Sequence, residues 1–396
     1  MSLRHNRNFL ILTSGQWVSM TGTSLFMIAL PWLVYAQTNS KALLALMGLI
    51  LSIPNVLGLW AGVWVDRWPK RRTMIGVDLI RGLLSLLIAL LAFSHVSIMW
   101  WIAPVLLLQI AGTLFTPAQM ALMGQIIATD EIPAAMGINQ SGTAAAQLAG
   151  QAGGGAVLTL LGAPILFLTN ALSFGVSMWT LSRLNVSDLV PVNPSPAFWA
   201  EWRQGWNTVW HESYLRHLIT VAVVVNGALA PFMVTVTAWV RDDLHQNAAW
   251  LGLLAACFLL GLLFGGIALG PLSVHWTPSA ILWRGLSITG AAVGVIGFAP
   301  NRWVALGLMT VSGMGTGIVN GSLSATLLAT LTPQVRGRVM GLMSGLSTLI
   351  IPIGLGILGP VMTQVSLPAM FALMGGLIVL AAAVFILHEK CADIKS

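Results

Sequence analysis

Twelve apolar stretches, each of membrane-crossing length, account for most of this chain. A bilayer core of about 30 Å takes about 20 helical residues, so each stretch is expected to be one spanning helix. Placed by charges, prolines and glycines, the first six cover 8–36, 42–65, 73–94, 97–126, 132–161 and 163–183. The second six cover 214–240, 248–272, 277–299, 302–331, 336–364 and 367–388. Charged residues make up only 7% of the chain, against about 25% in a soluble domain, which leaves almost no water-facing surface. The fold class expected is an all-α polytopic membrane protein. The first apolar segment, Phe9 to Tyr35, exceeds the 7–15 residues of a signal-peptide core, so it counts as a span.

A net charge of +7 would suggest nucleic acid in a soluble protein, but here the placement of charge matters more than its sum. With twelve spans, Arg4, Arg7, Arg67, Lys70, Arg71, Arg72, Arg183, Arg203, Arg216, Arg336, Arg338, Lys390 and Lys395 share the side of the N-terminus. Only Lys41, Arg241 and Arg302 fall opposite, a ratio of 13 to 3 that puts both termini in the cytoplasm. The one long polar segment, 184–213, opens with Pro191, Pro194 and Pro196. It continues with Phe198, Trp199, Trp202, Trp206 and Trp210 at near-helical spacing, as in an amphipathic helix at a membrane interface. The expected organisation is therefore an N-terminal six-helix bundle (1–183), a cytoplasmic linker (184–213), a C-terminal six-helix bundle (214–390) and a tail (391–396).

The halves repeat weakly. Arg81-Gly82-Leu83 in the third stretch matches Arg284-Gly285-Leu286 in the ninth, and Ala128-Thr129 with Met136-Gly137 matches Ala329-Thr330 with Met340-Gly341. A common order and an offset near 200 residues fit two parallel halves, the arrangement of transporters that rock about a midplane site.

Between the second and third stretches lies a basic loop of about seven residues. It reads Gly62-x-x-x-Asp66-Arg67-x-x-Lys70-Arg71-Arg72, with Gly58 and Gly62 spaced for close helix approach. Asp66 is placed to accept hydrogen bonds from another helix's N-terminus. This pattern resembles the loop 2–3 signature of the major facilitator superfamily, with Pro69 where glycine is usual. Val77-Asp78-Leu79-Ile80-Arg81-Gly82 resembles the third helix of its macrolide-efflux and enterobactin-exporter branch. Phe115-Thr116-Pro117-Ala118, Asn170-Ala171-Leu172-Ser173-Phe174 and Arg336-Gly337-Arg338-Val339 are similar to further segments of that branch. The resemblance implies the major facilitator fold of two pseudo-symmetric six-helix bundles, in a bacterial inner membrane. It also implies proton-coupled efflux of an amphipathic small molecule, such as a macrolide-like drug or a siderophore, by alternating access. A monomer without cofactor is expected.

No HExxH, GxSxG, GxxxxGK[ST] or CxxC motif is present, and Cys257 and Cys391 suggest neither disulfide nor metal site, so no enzyme is expected. Charges within a span mark function or pairing. Asp78 is the one acid placed within a stretch, and Arg81, three residues on, shares its helical face. Asp78 is the candidate proton carrier, with Asp66, His95, His217 and His275 as the other titratable groups. Arg284 has Ile281 where Asp78 would be, so it needs an anionic substrate, a helix C-terminus or lipid phosphate.

The candidate cavity set is neutral: Gln16, Thr21, Ser24, Gln109, Gln140, Gln147, Asn226, Asn320 and Ser324. Met20, Met27, Met233, Phe26, Phe232 and Trp239 are candidate apolar walls. For any single one, packing or an interhelical hydrogen bond is the first expectation; as a set they suggest a site that binds by shape and neutral hydrogen bonds. Ala144–Ala146, Gly150 and Gly153–Gly155 form one thin face of the fifth stretch, for close helix packing. The alternative readings are a lipid or lysolipid scramblase and a non-transporting receptor, the latter requiring a sizeable soluble output domain.

Overall fold

The computed structural model describes residues 6–65, 67–94, 96–186, 203, 206, 207, 209–331 and 333–393. The helices are α1 (Arg7–Thr38), α2 (Lys41–Val65), α3 (Lys70–Phe93), α4 (Ile102–Thr113), α5 (Phe115–Ile126), α6 (Ile132–Leu161) and α7 (Ala163–Ser182). They continue as α8 (Ser213–Leu229), α9 (Phe232–Asp242), α10 (Ala248–His275), α11 (Pro278–Ile296), α12 (Arg302–Thr330), α13 (Pro333–Gln364) and α14 (Leu367–Asp393). Among the described residues, eleven segments are long and apolar enough to cross a membrane, each on an expected stretch. The remaining expected stretch, 132–161, is the 30-residue α6. Asn139, Gln140, Gln147 and Gln151, set among small residues, leave it less apolar than the others.

Two expected helices are broken, and a proline accounts for each break. Pro117 has no N–H to offer the carbonyl of Thr113, so the fourth stretch divides at Leu114, whose N–H bonds back to Ala111 O at 3.2 Å. Pro231 likewise leaves the carbonyl of Gly227, which takes the N–H of Ala230 at 3.4 Å where α8 gives way to α9. Elsewhere side chains cap the helices. Asn6 Oδ1 accepts from Phe9 N at 3.1 Å, and its Nδ2 donates to Ile126 O at 3.1 Å, tying the start of α1 to the end of α5.

The helices group into two compact units. The first holds α1, α2 from Ile50 onward, α3 to α7 and the stretch Asn247–Gly252. Its core includes Phe9, Leu12, Met74, Val77, Phe115 and Leu122. The helix α1 lies close to α7 and α6 because glycines remove side chains at the crossings. A Cβ on Gly22 would overlap the Ser173 side chain, and one on Gly150 would stand 2.6 Å from Ser24 Cβ and 2.7 Å from Thr21 O. The expected thin face of α6 is thereby divided: Gly150 and Gly154 meet α1, Gly155 meets Ala248 and Gly252, and Gly153 faces open space.

The second unit holds Ser40–Leu49, α8, α9, α10 from Leu253 onward, and α11 to α14. Its core draws Leu218, Leu286, Val319, Leu342, Ile378 and Phe385 from five helices. Phe371 meets Trp239 and Phe232 edge-on, with ring centroids 5.6 and 6.1 Å apart. Phe26, Phe232 and Trp239 are therefore core residues, 0%, 4% and 1% exposed, and not the cavity walls expected of them. Their size is used in packing. Most of the expected linker lies outside the described residues. Where it is described, Trp206 stacks on Trp210 at 4.9 Å and Val209 is buried in the second unit's core.

Candidate functional site

The basic run is not a loop. Of the described residues after α2, Arg67, Trp68 and Pro69 lie in the turn, and Lys70, Arg71 and Arg72 form the first turn of α3. Pro69, at φ −62°, is preset to open the helix. Positive charge at a helix N-terminus opposes the dipole, but two of these side chains turn to the C-termini of other helices. Lys70, buried, donates from Nζ to Val65 O at 2.6 Å. Arg71 donates from Nε to Leu181 O at 2.9 Å and from Nη2 to Ser182 O at 2.6 Å. They thus join α2, α3 and α7 at one end of the first unit. Asp66 lies outside the described residues, as does His95. Gly62 lies in α2, and Arg67 is exposed.

One and a half turns further along α3, Asp78 is 0% exposed. Its Oδ1 is 3.6 Å from Arg81 Nη1, an ion pair too long for a hydrogen bond. Among the described residues neither carboxylate oxygen accepts a hydrogen bond, although the Ser177 hydroxyl stands nearby. The guanidinium lies 4.2 Å over the Phe174 ring and 5.7 Å from Phe115, and its Nη2 donates to Thr23 Oγ1 at 3.5 Å. Gly112 lies against it, where an added Cβ would be in ordinary contact, 3.7 Å from Nε. Arg81 is thus held by rings from α5 and α7 and a hydroxyl from α1 (a cation–π pair is worth up to about 2 kcal/mol when desolvated). Only the i,i+3 relation to Asp78 was legible in the sequence. Nearby, Asn170 donates to Ser85 Oγ at 3.1 Å, and Ser85 donates to Phe167 O at 3.0 Å, a buried link between α3 and α7.

The candidate polar residues separate into two groups. In the first unit Gln16, 8% exposed, has neither amide atom hydrogen-bonded, and Ser24 is buried behind Gly150. Gln147 Nε2 reaches Met20 Sδ at 3.7 Å across α1 and α6. Gln109 donates instead to Leu51 O at 3.4 Å, and Gln140 is exposed.

In the second unit Asn226 and Asn320 meet in one cavity of about 320 Å³. It is lined by Ala222 and Asn226 of α8, Asn320, Leu323, Ser324 and Leu327 of α12, and Met340, Met343, Ser344 and Ser347 of α13. Every lining residue is neutral. Asn226 turns Nδ2 onto Ala222 O at 2.8 Å, and Ser324 donates to Asn320 O at 2.9 Å. Met340, Met343, Ser344 and Ser347 were not among the candidates, although their i, i+3, i+4, i+7 spacing places them on one helix face.

Arg284, in the second turn of α11, has no carboxylate beside it among the described residues. Its guanidinium lies 4.0 Å over Trp276 and 5.1 Å over Trp283. Among the described residues no group of three or more His, Cys, Asp or Glu is arranged to hold a metal ion.

Comparison with known proteins agrees with this architecture. A family model described as transmembrane secretion effector matches residues 2–393. Macrolide efflux protein A of Streptococcus pyogenes is 22% identical over 296 residues, covering 74% of this chain and 73% of that one. The MFS-type transporter YfmI of Bacillus subtilis is 23% identical over 322 residues, covering 78% of each. A bacterial homologue of the iron transporter ferroportin superposes with a TM-score of 0.76 at 16% identity, covering 98% of this chain and 99% of that one. A bacterial homologue of the human lysosomal transporter Spinster does so with a TM-score of 0.73 at 14% identity, covering 98% of each chain. These solved structures share the fold. The chain is a multi-pass membrane transporter, not an enzyme, and belongs to the transmembrane secretion effector family of the major facilitator superfamily.

Proposed function

We propose that this transporter exports an amphipathic small molecule from a bacterial cell by alternating access, in exchange for protons. The observation that carries the substrate class is the neutral cavity of the second unit, where amides and hydroxyls face Met and Leu side chains. Its volume of about 320 Å³ lies at the lower end of the usual range for small-molecule sites. Such a lining binds by shape and hydrogen bonding and supplies no counter-charge for an obligate cation. The relative named macrolide efflux protein A supports a macrolide-like compound, with a siderophore as the second candidate class. In the first unit, Gln16, Met20, Ser24 and Gln147 are further candidate contacts for the substrate.

In this reading the bundles 1–183 and 214–390, joined by the linker 184–213, exchange access to the two membrane faces, with both termini cytoplasmic and a monomer as the working unit. The first turn of α3, with Gly62, Asp66 and Arg67 before it, acts as the gate. Asp78 carries the proton, exchanging it for Arg81 during the cycle. The test is uptake by inside-out proteoliposomes of a panel of macrolides and catecholate siderophores, with and without an imposed pH gradient. Accumulation of a panel member that requires the gradient supports the proposal. Lipid movement independent of any gradient, with no solute transport, would favour a scramblase instead.

A further inference from the structure

Among the described residues, Arg284 has no carboxylate partner. No Asp or Glu occurs between Asp243 and Glu389, and α11 has no acidic residue in its first turn. Nη1 is buried and donates to no acceptor among the described residues. The aromatic rings of Trp276 and Trp283 face the guanidinium but cannot neutralise it. An uncompensated arginine in a membrane segment is costly and faces either a cavity or the headgroup layer.

Its position indicates the headgroup layer. Arg284 lies six residues beyond Pro278, the first residue of α11, or about 9 Å along the axis. Trp276, 41% exposed, sits in the turn before that helix, as tryptophans do at the membrane–water boundary. Thr277 Oγ1 caps the helix by accepting from Ala280 N, so the first turn adds positive potential with no carboxylate to offset it.

We infer that Arg284, flanked by Trp276 and Trp283, binds the phosphate of an anionic phospholipid headgroup. The tryptophans orient the guanidinium edge toward the lipid phosphate and shield it from water, and the phosphate supplies the missing counter-charge. The site lies outside the proposed substrate cavity, and its test requires no transported substrate.

Thermal unfolding of the protein in neutral detergent, titrated with phosphatidylglycerol, phosphatidylcholine or inorganic phosphate, tests this. Phosphatidylglycerol should raise the midpoint at concentrations where phosphatidylcholine does not. Arg284→Gln should need roughly tenfold more phosphatidylglycerol for the same shift, as for loss of a charge-assisted contact. Arg284→Lys should fall between, because an ammonium does not stack as guanidinium does. Trp276→Leu, at an exposed position, provides a second variant with the same expected direction should Arg284→Gln not fold. An unchanged phosphatidylglycerol response in the folded variants would overturn the inference. So would an equal shift from millimolar inorganic phosphate, which would assign the site to a soluble anion.

Discussion

Asp78 and Arg81 face each other across one turn of α3 at 3.6 Å, and among the described residues the carboxylate takes no hydrogen bond, although the Ser177 hydroxyl stands nearby. The guanidinium is better held than its partner, lying 4.2 Å over Phe174 and within reach of Thr23. Removing either charge has unequal consequences. Asp78→Ala leaves a desolvated Arg81 and should destabilise the protein by about 3–5 kcal/mol. Replacing both by Ala should recover part of that loss. Thermal melts of the two single variants and the double variant give the coupling, and strictly additive losses would contradict a direct pair.

The clasp at the start of α3 gives a second expectation. Arg71 satisfies two C-terminal carbonyls of α7, at 2.9 and 2.6 Å. Arg71→Ala should lower stability by about 1–3 kcal/mol. Arg71→Lys should recover less than half, because a point charge does not reproduce the fork that spans two carbonyls. Denaturation midpoints of the purified variants check this.

Close packing of α1 on α6 gives a third. A Cβ at Gly150 would stand 2.7 Å from Thr21 O, whereas nothing lies within 4 Å of one at Gly137 on the same helix. Gly150→Ala should cost about 1–3 kcal/mol through forced separation of the helices. Gly137→Ala should be neutral or stabilising by about 0.5–1 kcal/mol through reduced backbone entropy. Equal melting temperatures for the two variants would contradict this account of the crossing.

Most of the helices were legible because a membrane helix is written as a long apolar run. The interruptions at Leu114 and Ala230 were less visible, although Pro117 and Pro231 mark both. A proline removes one hydrogen bond, and only the structure decides whether the helix bends or breaks there. The basic run was misplaced because counting charges by membrane side does not distinguish a loop from a helix's first turn. Asp78 and Arg81 could be paired from sequence because i,i+3 fixes a common face. Trp276 could not be assigned to Arg284, since the turn before α11 intervenes. The meeting of Asn226 with Asn320 and Ser344 is a product of packing among α8, α12 and α13, which no single helix records.

For the cavity, Asn320→Leu and Ser344→Leu should each reduce export at least tenfold while leaving the melting temperature within a few degrees, because both remove hydrogen-bonding capacity from the cavity lining. Asn226→Leu should act similarly, with an added small loss of stability from its bond to Ala222 O. Undiminished transport by all three would remove this cavity from the substrate path.

We propose that Asp78 couples proton movement to export. Gradient-driven accumulation in inside-out vesicles, compared with exchange down a substrate gradient, tests it in the variant Asp78→Asn, which keeps the side chain's shape. Uphill accumulation should be abolished while downhill exchange and substrate binding persist. Undiminished uphill accumulation by Asp78→Asn would contradict it.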